Sequence, residues 1–306
     1  MPRVPLGCGA SMRRHDIIGA VALALWAFLG LLTRMAAGIP PFQLTAMGMA
    51  VGGTAGLLVV LARGRGAALR QGPLAWAHGV GGLAGYHALY FAALTLAPPV
   101  EANLLNYLWP LLIVLLSAPV LGMRLDVRRL AGVALGFAGC ALLLGGGAGF
   151  APAAWPGFLC AAAAALVWAL YSVTARRLSA VPTEAVAGFC LGAALLAGLA
   201  HVAFESTVMP DARQWVAVLL MGLGPLGAAF FLWDAGMKRG DPRLLGTLAY
   251  ATPVASTALL LAAGAGEAGW RVFAAAALVA GGGLLAAGGR ARVADPAKPV
   301  QMSSSP

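Results

Sequence analysis

Asn103, Asn106, Tyr107 and Pro110 stand three or four residues apart, the spacing that puts side chains on one face of a helix, and Trp109 sits beside them. Tyr86 and Tyr90, one turn apart, make a second such face with His87 adjacent. Trp26, the group Trp168, Tyr171 and Ser172, the pair Trp233 and Asp234, and Tyr250 add polar or aromatic positions inside otherwise apolar runs. Neutral amides and phenols hydrogen-bond a carboxylate or an ammonium, and aromatic faces stack on apolar groups or attract a cation. That chemistry holds a small zwitterion; it does not make or break bonds. The sequence has no HExxH, no GxSxG, no His or Cys pair at ligand spacing, and no CxxC among Cys8, Cys140, Cys160 and Cys190. Neither a metal nor a cofactor is expected, and an enzyme is not. GxxxxGK[ST] is absent, which excludes ATP-driven work by this chain alone.

The elements that must carry these side chains are membrane helices. The chain has 306 residues, of which 61% are hydrophobic and 10% charged, and its mean hydropathy is +0.87. About 20 apolar residues cross a bilayer. That rule predicts ten helices near residues 16–35, 42–62, 73–96, 99–121, 127–146, 155–177, 184–204, 212–236, 242–262 and 270–289. The run at 17–32, behind Arg13 and Arg14, resembles a signal peptide but lacks a clear small-residue cleavage site, so an uncleaved first helix is expected. With the N-terminus inside, 17 of the 20 Lys and Arg residues face the cytoplasm, and only Arg34, Arg213 and Arg271 face out. Both termini are then cytoplasmic, and 291–306 is expected to be a disordered cytoplasmic tail. Topology alone accounts for the net charge of +10, so no nucleic-acid partner is expected.

The polar groups are costly in lipid unless paired or wet, so they must face the bundle interior. The same spacings also serve plainer ends. Tryptophan and tyrosine form belts at membrane interfaces, the reading for Trp155, Trp215 and Trp270, and helix packing is the second reading for the inner aromatics after cavity lining. His87 reads as a cavity group, as a packing group with a backbone partner, or as a titrating switch. His78 and His201, near helix ends, are expected to be solvated. Asp234 is either a functional carboxylate or the salt-bridge partner of Lys238 one turn on. Pro110 and Pro253 each remove a backbone hydrogen bond and are expected to act as kinks or hinges.

The chain also repeats itself. Trp26, Arg34 and Pro40 recur as Trp168, Arg176 and Pro182, and Pro99, Tyr107, Pro110 and Arg128 as Pro242, Tyr250, Pro253 and Arg271, at offsets of 142 and 143. Helices one to five, residues 13–149, thus read as one unit written again over 150–290 within a single membrane domain. Five is odd, so the second copy sits inverted, as in many secondary transporters.

With these features, the stretch PPVEANLLNYLWP (98–110) and the GYHALYFAAL before it resemble the EamA-type branch of the drug/metabolite transporter superfamily, and within it the aromatic amino acid exporters. The resemblance implies a basket-like bundle of ten helices in two inverted repeats around a central cavity. It also implies a monomer in the bacterial inner membrane that exports aromatic and other neutral or apolar amino acids by alternating access. Export of drugs or other small metabolites is the alternative reading.

Overall fold

The computed structural model describes residues 13–144, 152–264 and 269–287. The expected tail at 291–306, the residues before 13 and residues 145–151 lie outside them. Among the described residues every regular element is a helix: α1 (Arg14–Ala27), α2 (Leu29–Met35), α3 (Pro41–Ala62), α4 (Pro73–Leu96), α5 (Pro99–Asn106), α6 (Trp109–Leu121) and α7 (Val127–Leu144). Then follow α8 (Trp155–Thr174), α9 (Val186–Phe204), α10 (Ala212–Leu223), α11 (Ala229–Arg239), α12 (Pro242–Leu248), α13 (Ala251–Ala262) and α14 (Trp270–Ala287). Among the described residues, six continuous stretches are long and apolar enough to cross a membrane: Arg14–Met35, Pro41–Ala62, Trp155–Thr174, Thr183–Phe204, Ala212–Arg239 and Pro242–Ala262. Trp109–Leu121 and Trp270–Leu285 are shorter apolar helices. Prolines in the first turn start α3, α4, α5 and α12, where the missing N–H costs nothing.

Four predicted runs are interrupted where the sequence reading has single helices. The breaks fall at Phe28, at Tyr107–Leu108, at the π-turn Gly224–Ala228, and at Ala249–Tyr250. Pro110 and Pro253 stand in the first turn after the second and fourth breaks, where each ring denies the preceding turn a hydrogen bond. Pro225 does the same inside the π-turn. No proline or tight turn explains the break at Phe28.

Helices pack in pairs: α7 on α14, α3 on α9, α4 on α8 and α1 on α11. Small residues allow the approach. At the tightest crossing, α3 meets the π-turn backbone to backbone. A Cβ on Gly52 would stand 2.5 Å from the Gly222 carbonyl oxygen and 2.6 Å from the Gly227 Cα.

The two ends of the bundle differ. One end, at the connections following α1's start, α6, α8 and α11, is tied by a charged network. The Asp241 carboxylate accepts from Arg129 Nη1 at 2.8 Å and Arg243 Nε at 3.0 Å, and caps α12 through the Arg243 N–H. Its own N–H donates to Asp16 at 2.6 Å, and Arg176 donates to the Gly240 carbonyl. Burial would raise the Asp241 pKa, but the Arg243 hydrogen bonds and the charges of Arg129 and Arg243 outweigh it and hold it at about 2. At the other end, Glu205 accepts the first free amides of α3, from Phe42 at 2.9 Å and Gln43 at 3.0 Å. His201 donates to the same carboxylate at 2.9 Å and bonds Thr207 through its other nitrogen. His201 is therefore buried and engaged rather than solvated. His78, also expected in solvent, bonds Thr174 at 2.9 Å and stacks on Tyr171.

Candidate functional site

A cavity of about 820 Å³ lies between α1 and α2, α4, α5 and α6, and α13. It opens at the Glu205 end, where Thr33, Arg34, Ala37 and Gly38 are exposed. Its floor is aromatic. Trp26, Trp109 and Trp168 line it and are each more than nine-tenths buried. Trp26 and Trp168 meet edge to face at 5.5 Å, and Trp109 and Trp168 at 6.4 Å. The Trp26 indole N–H donates to the Pro225 carbonyl at 2.9 Å, using an acceptor that the π-turn frees. The floor is thus built on the irregular backbone of Gly224–Ala228.

The wall on α4 and α5 carries the neutral polar groups. Tyr86 and Tyr90 stack at 5.8 Å with rings 5° from parallel. The Tyr90 hydroxyl donates to Asn103 Oδ1 at 2.9 Å, and Asn106 Nδ2 donates to the Tyr86 hydroxyl at 3.1 Å. The Asn106 carbonyl oxygen is buried with no hydrogen-bond partner among the described residues. Such an acceptor is costly unless a ligand or water meets it. Tyr107 lines the cavity from the turn between α5 and α6. His87 Nδ1 lies 2.7 Å from the Leu83 carbonyl, which can only accept, so Nδ1 carries the proton and a neutral ring leaves Nε2 as an acceptor.

Of the residues singled out in the sequence, Trp26, Tyr86, His87, Tyr90, Asn103, Asn106, Tyr107, Trp109 and Trp168 meet at this one cavity. Tyr171, Trp233, Asp234 and Tyr250 do not line it. Trp233 lies behind the floor, its N–H donating to Ser172 at 3.0 Å, and its ring backs Trp26 at 5.2 Å. Tyr171 fills the space beside Gly82. Asp234 pairs with Lys238 at 2.8 Å and accepts from Thr183 at 2.7 Å, with both members of the pair buried. Tyr250, the repeat counterpart of Tyr107, turns the other way: it packs on Gly136 and Phe137 and is fully buried. In its place α13 contributes Thr252 and Ser256. These two stand four apart on one face, a signal available in the sequence. Leu29, Phe91 and Phe230, which also line the cavity, are apolar residues among many and carry no such signal.

The EamA-like transporter family matches the chain twice, over residues 14–145 and 155–288. The chain belongs to the EamA-like transporter family. The aromatic amino acid exporter YddG of Ancylobacter novellus is 52% identical over 274 residues, which are 88% of this chain and 96% of that protein. YddG of Escherichia coli is 25% identical over 89% of this chain and 96% of its own. A solved crystal structure, 51% identical, superposes with a TM-score of 0.88 over 90% of this chain and 97% of that one. The cavity described above lies within the two stretches of this EamA-like chain that the family matches, and its lining comes from both.

Proposed function

We propose that this transporter exports aromatic and other neutral or apolar amino acids across the bacterial inner membrane by alternating access. The observation that carries the reading is the cavity itself: three tryptophans at its floor, paired tyrosines and asparagines on its wall, and no aspartate, glutamate or lysine among the described residues that line it. Its volume falls within the roughly 300–1,000 Å³ usual for small-molecule sites. An aromatic side chain has indole faces to pack on, and an ammonium has the Asn106 oxygen, His87 Nε2 and ring faces to meet. The relatives named amino acid exporters favour this class over drugs.

The chain is read as one membrane domain of ten helices in two inverted repeats, 13–149 and 150–290, with both termini cytoplasmic. The double family match supports it, and so do the breaks in register at 107–108 and 249–250. The packing agrees: exchanging the repeats leaves the pairs α3–α9 and α7–α14 unchanged and turns α4–α8 into α11–α1. On that topology the cavity opens outward, and the Asp241 network closes the cytoplasmic end. Pro110 and Pro253, each just past a break, are the hinges about which the ends exchange access.

The test is counterflow. Liposomes holding purified protein and preloaded with unlabelled phenylalanine should accumulate labelled phenylalanine or tryptophan, without added energy. Failure to accumulate any amino acid, from protein shown to be folded, removes the reading.

A further inference from the structure

We propose that Arg34 is the carboxylate-recognition residue of this cavity and makes a free carboxylate a requirement for its ligands. The inference rests on the amino acid reading above. Among the described residues, Arg34 is the one Lys or Arg that lines the cavity, and no described acid does. The guanidinium makes no hydrogen bond or ion pair among the described residues. Two described acids at that end are already committed. Glu205 accepts from Phe42, Gln43 and His201, and Asp211 caps α10 through the Gln214 N–H at 2.8 Å.

A cation in the last turn of α2 also complements the helix dipole. That explains a positive charge there. It does not explain a charge left unpaired on the outward side, which this sequence otherwise nearly empties of basic residues. A guanidinium offers a planar pair of donors that fits a carboxylate in two-point fashion, and the rest of the cavity supplies what the other end of an amino acid needs. Acceptors for an ammonium lie on α4 and α5, at His87 Nε2 and Asn106 Oδ1, and the tryptophan floor takes the side chain. A ligand so held points its carboxylate at the mouth and its ring inward. Arg34 then meets the leaving substrate last and an external one first.

The experiment compares phenylalanine with phenylalaninol, which keeps the ring and ammonium and lacks the carboxylate. Each competes against labelled phenylalanine in counterflow, and quenching of tryptophan fluorescence in detergent reports direct binding. Wild type should prefer phenylalanine roughly tenfold, the low end for a charge-assisted pair. Arg34→Gln should weaken phenylalanine by about that factor, leave phenylalaninol unchanged, and so bring the two within about twofold. Arg34→Lys, which keeps the charge and loses the fork, should fall between. Because Arg34 is exposed and unbonded, its replacement leaves packing intact. A wild type that does not discriminate, an Arg34→Gln that keeps the wild-type ratio, or one that weakens both ligands equally overturns the assignment. A wild type without counterflow of any amino acid overturns the export reading and this one with it. Counterflow with an unaltered ratio overturns Arg34 alone.

Discussion

Asp241→Asn isolates the charge that ties the closed end of the bundle. Asparagine keeps the size of the side chain and its ability to cap α12. It loses the charge that pairs with Arg129, itself 5% exposed, and with Arg243. The wild-type pKa of about 2 lies below the ordinary 3.8. At 1.36 kcal/mol per unit, the folded state gains about 2 kcal/mol from the ionised group. Because the folded pKa is the lower one, that stability is complete above about pH 4 and is lost as pH falls through 2. At pH 2.5 roughly a third remains. For a chain of 306 residues about 2 kcal/mol corresponds to a Tm loss of roughly 3 °C. The eight tryptophans report unfolding directly by fluorescence during heating in detergent. Asp241→Asn should melt lower than wild type at pH 7 by that margin, and the gap should close toward pH 2.5. Equal Tm values at pH 7, or a gap as wide at pH 2.5 as at pH 7, would refute the reasoning.

Tyr107→Ala should weaken phenylalanine roughly tenfold in counterflow with little loss of folded protein, whereas Trp109→Ala, which empties a buried floor position, should also cost about 3–5 kcal/mol of stability. Unchanged competition constants for Tyr107→Ala remove it from the site, and an unchanged Tm for Trp109→Ala removes the packed floor. An impermeant thiol reagent added outside should label a single cysteine at Ala153 and spare one at Ala67; the reverse pattern inverts the topology. Net flux should follow the substrate gradient with little effect of an imposed pH gradient, because no carboxylate among the described residues lines the cavity. Uphill flux that appears only with the pH gradient, and vanishes in His87→Ala, contradicts this.

The cavity's polar wall was legible because lipid leaves amides and phenols few places to go. Asn103, Asn106, Tyr86 and Tyr90 had to face one another or water, and they do. The floor was legible in part. Trp26 and Trp168 announced themselves, but Trp233 reads the same in sequence and lies one layer back, where Ser172 takes its N–H. Tyr107 and Tyr250 show why a repeat does not transfer a role. Each sits at a helix break, and rotation there is set by what packs beside it: Gly136 leaves a niche that Tyr250 fills. The interruption at Gly224–Ala228 is not legible because a membrane helix tolerates glycine and proline wherever neighbours satisfy the freed backbone, and the one at Phe28 has no proline to mark it. Arg34 could be placed outside by charge counting, but its position at the cavity mouth depends on how α2 swings after the break at Phe28.

The crossing of α3 over the π-turn has a mechanical meaning. Side chains between helices act as compliant padding that can slide by changing rotamers. Between Gly52 and Gly227 there is none. Bare backbones in contact cannot compress, and even one methyl group would wedge them apart. A motion that bends the helices at Pro110 and Pro253 while keeping this contact would leave it as the fixed point, as a beam turns on a fulcrum. Displacement would be smallest beside these glycines and grow with distance, reaching its greatest extent at the two ends of the bundle.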